Sequence, residues 1–244
     1  MKYLLSKNAD VNAVTSDGAT CLYKASEFGR LDIVQHIIRY YQIDVNAKRI
    51  NGRTPLYVAA INGNLDVVKE LVENGKNINL EAKDEEGITP LLESCFFGKV
   101  EVIDYLIAKG ANLTARTKDG SNCLILAAGM ENYRKYSDFP KQGKCGNESA
   151  FKDILNVNQV RINLYLIVQT TVKFHEIKST SISMFSIIMP VVIQGQLKTL
   201  VNERNNKGVS PIYAAAIQGQ DDITEILLDN GADADQVNTN FKNH

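Results

Sequence analysis

Cysteine and histidine carry much of the nucleophilic and metal chemistry of proteins, and this 244-residue chain has 4 of the first and 3 of the second. A zinc site needs such residues in pairs at short fixed spacing. Cys21, Cys95, Cys123 and Cys145 stand alone, and His36, His175 and His244 are as scattered. No Ser-His-Asp order, H-E-x-x-H, P-loop or G-x-G-x-x-G occurs. The chain is therefore expected not to be an enzyme, and to need no metal, cofactor or small-molecule ligand. Unpaired thiols suit a cytoplasmic or nuclear protein, and packing is the expected role of Cys21, Cys95 and Cys123. One cluster has the chemistry of recognition instead. Tyr133, Tyr136 and Phe139 alternate with Arg134, Lys135, Lys141 and Lys144, a composition that grips acidic peptides; a loop without a role is the alternative.

Charge narrows the partners. With 27 basic and 28 acidic residues the net charge is −1, which argues against nucleic acid and anionic membrane. The most apolar stretch, from Ile162 to Ile193, is interrupted by Lys173, His175, Glu176 and Lys178. Neither part reaches the ~20 apolar residues of a spanning helix. The first residues lack the apolar run of a secretory signal. The expected partner is neither nucleic acid nor membrane.

The elements that would present a surface to such a partner are legible as a repeat. The segment Asn51-Gly52-Arg53-Thr54-Pro55-Leu56-Tyr57 recurs as Glu86-Gly87-Ile88-Thr89-Pro90-Leu91-Leu92 and as Lys207-Gly208-Val209-Ser210-Pro211-Ile212-Tyr213. Weaker copies begin at Asp17-Gly18 and Asp119-Gly120. The leading glycines, at 18, 52, 87, 120 and 208, are separated by 34, 35, 33 and 88 residues. A second glycine follows 11 residues later at Gly29, Gly63, Gly98 and Gly219, and a third 23 residues later at Gly75, Gly110 and Gly231. The first suits a tight turn with positive φ. Thr-Pro or Ser-Pro then opens a helix, the hydroxyl capping free amides and proline taking the first position. The second glycine stops that helix, and an amphipathic second helix follows, as in Leu65, Val67, Val68, Leu71 and Val72. A loop with a buried apolar residue, Val45 or Ile78, leads to the next turn. Helices this short gain stability only by packing on neighbouring modules.

The pattern resembles the ankyrin-repeat family: G-x-T-P-L-H-x-A-A-x-x-G, an amphipathic helix, then G-A-D-V-N. Tyr23, Tyr57 and Tyr213 replace the family's histidine, as do Leu92 and Ile125, so the hydrogen bond that histidine supports is in question. The resemblance implies an all-α solenoid of stacked helix-turn-helix modules with short β-hairpin turns. Its modules are a partial repeat at 1–13, then repeats at 14–47, 48–82, 83–115 and 116–163, the last with an insertion at 130–145. A degenerate repeat at 164–203, a further repeat at 204–236 and a tail at 237–244 complete the division; for 164–190 an extruded loop or translated non-coding sequence is the alternative. Residues 146–155 match the second helix that starts after Gly63, and 1–13 match the end of a module, which suggests a fragment of a longer array.

The resemblance also implies a partner surface built from turn tips and the outer side of the first helix. Tip positions include Ser16, Asp17, Ala19, Ile50, Asn51, Arg53, Glu85, Glu86, Ile88, Lys118, Asp119, Ser121, Asn206, Lys207 and Val209. The helix-end pairs are Glu27-Phe28, Ile61-Asn62, Phe96-Phe97 and Ile217-Gln218. An apolar stripe of Phe28, Ile61, Phe96 and Phe97, flanked by Arg53, Glu85 and Glu86, is the expected binding surface; packing between modules is the alternative for the same side chains. The function implied is an interaction scaffold or adaptor, or else the regulatory segment of a larger enzyme or channel. The family resemblance also makes Asn12, and less closely Asn46, a candidate for asparaginyl hydroxylation.

Overall fold

The computed structural model describes residues 10–128 and 199–235. The chain divides into two compact units, one up to Lys118 and one from Asp119 onward. The first holds three helix pairs: α1 (Cys21–Glu27) with α2 (Leu31–Tyr40), α3 (Pro55–Asn62) with α4 (Leu65–Asn74), and α5 (Pro90–Phe96) with α6 (Val100–Ala108). In the second lie α7 (Cys123–Ala127), helical residues 199–202, and the pair α8 (Pro211–Ile217) with α9 (Asp221–Asp229).

Every first helix starts by the same chemistry. The hydroxyls of Thr20, Thr54, Thr89 and Ser210 accept from the amide three residues on, and Pro55, Pro90 and Pro211 hold the first turn. Asn122 does the same with its amide oxygen, accepting from Leu124 and Ile125. Gly29, Gly63, Gly98 and Gly219 all have positive φ after these helices. One glycine departs from expectation. Gly75 keeps φ at −72°, and the left-handed residue is Asn77 at 57°. Its glycine is demanded by contact instead, since a Cβ there would lie 2.3 Å from the carbonyl oxygen of Leu71.

Between the helix pairs the chain makes narrow hairpins. Within them the amides of Thr15, Arg49, Asp84 and Asn205 donate to the carbonyls of Ala19, Arg53, Ile88 and Val209. Among the described residues the only formal strand pairing is the bridge between Val14 and Thr20. Successive hairpins are joined by one backbone rung each. In the first unit Ile50 donates to Asp17, Glu85 to Asn51 and Lys118 to Glu86; in the second Asn206 donates to Asp119.

The core runs as columns of equivalent side chains. Leu22, Leu56 and Leu91 of the first helices, and Ile37, Leu71 and Leu106 of the second, are all 2% exposed or less. Each such burial contributes about 1.5–3 kcal/mol, a term that only stacking makes available to helices of 7–10 residues. Val45 is buried as expected of its loop, whereas Ile78 is only half-buried.

In the second unit the joint between neighbouring hairpins recurs. The rung from Asn206 to Asp119 is the one that joins adjacent hairpins elsewhere, and α8 packs directly on α7. The Asn202 side chain makes a second contact of a familiar kind. It donates to Gly231 O at 2.9 Å and accepts from the Asp233 amide at 2.8 Å, as Asn46 does with Asn77 O and the Asn79 amide. Residues 199–203 thus hold, against the repeat of α8, the place that the loop around Asn46 holds against its own follower. The insertion at 130–145, the helix match at 146–155 and most of the degenerate repeat lie outside the described residues, as do positions 1–9 and 236–244.

Candidate protein-interaction surface

The hairpins sort the expected surface residues into two groups. The residue after each turn glycine points inward, because side chains alternate across the closing hydrogen bonds. Ala19, Arg53, Ile88, Ser121 and Val209 are all buried. Arg53 therefore does not flank a surface. It is 5% exposed, its guanidinium carbon lies 5.3 Å from the Tyr57 ring centroid, and its Nε is 3.7 Å from Asp84 Oδ2. Tyr57 donates to that same oxygen at 2.9 Å. Tyrosine in the histidine position thus makes its own hydrogen bond to the next module. The other Asp84 oxygen accepts from the amides of Glu86 and Ile88, which fixes the following turn. Burial and the nearby carboxylates push the Tyr57 phenol well above its usual range.

Glu93 completes this buried group and was not singled out from the sequence. It is 4% exposed, on the face of α5 where equivalent positions hold Val58, Leu126 and Ala214. Burial raises its carboxyl to about 7, against the pull of Arg53 and with the push of Asp84. The first repeat has Lys24 there, so the available signal was an acid at a position that three of the five repeats keep apolar.

The proposed apolar stripe is split in the same way. Ile61 and Phe96, each two residues before the second glycine of its module, are buried, 3% and 6% exposed. Phe97 is half-buried, edge-on to Phe96 with centroids 5.0 Å apart. Phe28 is 67% exposed and Ile217 49%. Asn62 is exposed but turns its side chain back to Val58 O, and Gln218 is half-buried. The first-helix ends therefore do not form one continuous apolar band.

The outward tips do form a row in the first unit. Ile50 is 75% exposed, the most accessible of the large apolar side chains described. On one side of it Arg49 pairs with Asp17 at 2.6 Å. The Thr15 hydroxyl, then Arg49, hold the Asp17 carboxyl down to about 2. On the other side lie Glu85 and Glu86, both exposed. The backbone rungs from Ile50 to Asp17 and from Glu85 to Asn51 set these residues side by side.

Tyr133, Arg134, Lys135, Tyr136 and Phe139 lie outside the described residues, as does Cys145. Cys95 and Cys123 are buried and in no disulfide; Cys21 is partly exposed, its thiol 2.9 Å from Val11 O. Among the described residues no group of His, Cys, Asp and Glu is arranged to hold a metal, and no helix is long and apolar enough to cross a membrane.

Comparison with known families agrees with this architecture. The family described as ankyrin repeats (3 copies) matches residues 1–82, ankyrin repeats (many copies) matches 58–107, and a single ankyrin repeat matches 207–239. No curated protein matches the chain. Such repeats are generally protein-interaction modules. The capped helix pairs, the hairpin rungs and these three matches make this chain a member of the ankyrin-repeat family.

Proposed function

We propose that the chain is a non-catalytic scaffold or adaptor whose protein partner seats on the hairpin tips of the first unit. The observation that carries this reading is Ile50, a β-branched side chain 75% exposed at a tip held by rungs on both sides. An exposed apolar group on a rigid support gains affinity cheaply, since little entropy is lost on binding. Glu85 and Glu86 on the neighbouring tip favour a partner that sets a basic residue beside an apolar one. The Asp17–Arg49 pair closes the other side with its charges already matched. Cys21, Cys95 and Cys123 form no disulfide, which suits a reducing compartment, so the proposed location is the cytoplasm.

The test uses the full chain immobilised against cell extract, with captured proteins identified by mass spectrometry. Ile50→Asp and the double change Glu85→Lys with Glu86→Lys should each deplete the same specific set at least about tenfold. Their melting temperatures should match the parent, because exposed substitutions seldom exceed about 0.5 kcal/mol. Capture of an unchanged set by both variants removes the tip row as the binding surface.

A further inference from the structure

Asparagine precedes glycine at four places in the chain: Asn51-Gly52, Asn62-Gly63, Asn74-Gly75 and Asn230-Gly231. In this pair the chain can react with itself. A glycine nitrogen, with no Cβ beside it, is the backbone nitrogen best able to reach the side-chain carbonyl carbon of the residue before it. As dipeptides the four are identical, and the fold separates them. Three stand at helix ends: Asn62 and Asn74 are the last residues of α3 and α4, and Asn230 follows α9. Each of these donates its side-chain amide back along its helix, Asn62 to Val58 O at 2.8 Å, Asn74 to Glu70 Oε1 at 3.1 Å and Asn230 to Ile226 O at 2.8 Å. Turning the side chain toward the next nitrogen breaks that bond.

Asn51 stands in the tip of the hairpin between α2 and α3, and its side chain is held from the other direction. Its amide oxygen accepts from the Arg53 backbone amide at 3.3 Å. A donor on that oxygen polarises the carbonyl and stabilises the charge that develops there when a nucleophile adds. The glycine amides do not decide between the four, since each donates to a backbone carbonyl, Gly52 to Arg49, Gly63 to Ala60, Gly75 to Leu71 and Gly231 to Leu228. Gly52 itself is fixed by the fold. Its φ is +80°, and a Cβ there would lie 3.0 Å from Asp84 Cα, so the unhindered nitrogen is retained. Asp17-Gly18 has the same place in the first repeat, but the Thr15 hydroxyl and Arg49 hold the Asp17 carboxyl ionised, and a carboxylate resists addition.

We propose that Asn51 is a site of spontaneous deamidation in the folded protein. The Gly52 nitrogen forms a bond to Asn51 Cγ and the Cγ–Nδ2 bond breaks. The proton lost by Gly52 passes through water to the departing nitrogen, which leaves as ammonia, and a succinimide ring results. Water then adds at one or the other ring carbonyl and opens it to aspartate or to isoaspartate. One water is consumed and one ammonia released, and nothing is oxidised or reduced. Either product puts a negative charge beside Ile50, in line with Glu85 and Glu86. Isoaspartate does more. Its main chain runs through the former side-chain carbons, so the Asn51 carbonyl that accepts from the Glu85 amide at 3.1 Å leaves the main chain. The rung between the repeats of α3 and α5 then loses its backbone acceptor. The reaction is independent of any partner at the tips, and a partner that sets a basic residue there would feel the added charge.

The full chain is kept folded at neutral pH, sampled over weeks and digested in acid, which arrests the reaction, and the four peptides are followed by mass spectrometry. The Asn51 peptide should turn acidic at least about fivefold faster than the other three, each of which must first give up a hydrogen bond. Isoaspartate should appear beside aspartate, since direct hydrolysis of the amide yields aspartate alone. In urea the four peptides should react at similar rates, which assigns the difference to the fold. Asn51→Gln, whose side chain would have to close a larger ring, should stop the change at this position while Asn62, Asn74 and Asn230 keep their rates. Equal rates at all four sites in the folded chain, an Asn51 peptide slower than the others, or an acid at position 51 without isoaspartate overturns the proposal.

Discussion

Replacing Glu93 by glutamine should make the protein more stable, and only above acidic pH. The carboxyl is 4% exposed and raised from 4.5 to about 7, with burial as the first cause. Between those values the folded chain holds a proton that the unfolded chain has released. The stability this proton confers is complete below about pH 4.5 and is lost as pH rises through about 7. At about 1.4 kcal/mol per pKa unit, the ionised side chain costs about 3 kcal/mol at pH 8. Glutamine keeps the shape and an acceptor oxygen and carries no charge, so Glu93→Gln recovers most of that cost. Arg53 retains Asp84 as its ionic neighbour. Urea midpoints followed by circular dichroism at pH 5, 6, 7 and 8 would read both proteins. The two should converge at pH 5 and separate by about 2–3 kcal/mol at pH 8. A variant less stable at pH 8, or a parent with the same pH slope as the variant, would mean that Arg53 already compensates the charge and would refute the reasoning.

Two further substitutions test the packing between modules. Tyr57→Phe removes the phenol that donates to Asp84 Oδ2 and should cost about 1–2 kcal/mol, measured as a lower urea midpoint with an unchanged spectrum. Gly87→Ala and Gly219→Ala separate backbone strain from crowding. Both glycines have positive φ, but a Cβ on Gly87 lies 3.0 Å from Lys118 N, whereas nothing lies within 4 Å of one on Gly219. The Gly219 variant should lose about 1 kcal/mol and the Gly87 variant clearly more, by thermal or urea melts.

The modules were legible because each of their joints has a dedicated residue type. Thr54, Pro55 and Gly63 announce a start, a first turn and a stop, and the structure uses them so. The surface was less legible. Arg53, Ile61 and Phe96 are residue types that serve equally outside or inside, and only the hairpin's alternation and the neighbouring module decide between them. Ile50, two residues before a turn glycine, faces outward and Ile88, directly after one, faces in, which residue type alone does not separate. In sequence, Asp119 and Asn206 stand far more than one repeat apart. Periodicity counts residues along the chain, whereas the rung from Asn206 to Asp119 is a neighbour relation in space that no spacing announces.

The hairpin rungs also give each joint a private reporter. The amide of Ile50 belongs to one repeat and its acceptor to the one before, and the same holds for Glu85 and Lys118. Deuterium uptake at these three positions therefore follows the parting of successive repeats, one joint at a time, without a label or a substitution. Exchange that is graded from Ile50 to Lys118 would describe a stack that loosens from one side, and uniform exchange would describe a unit that opens as a whole.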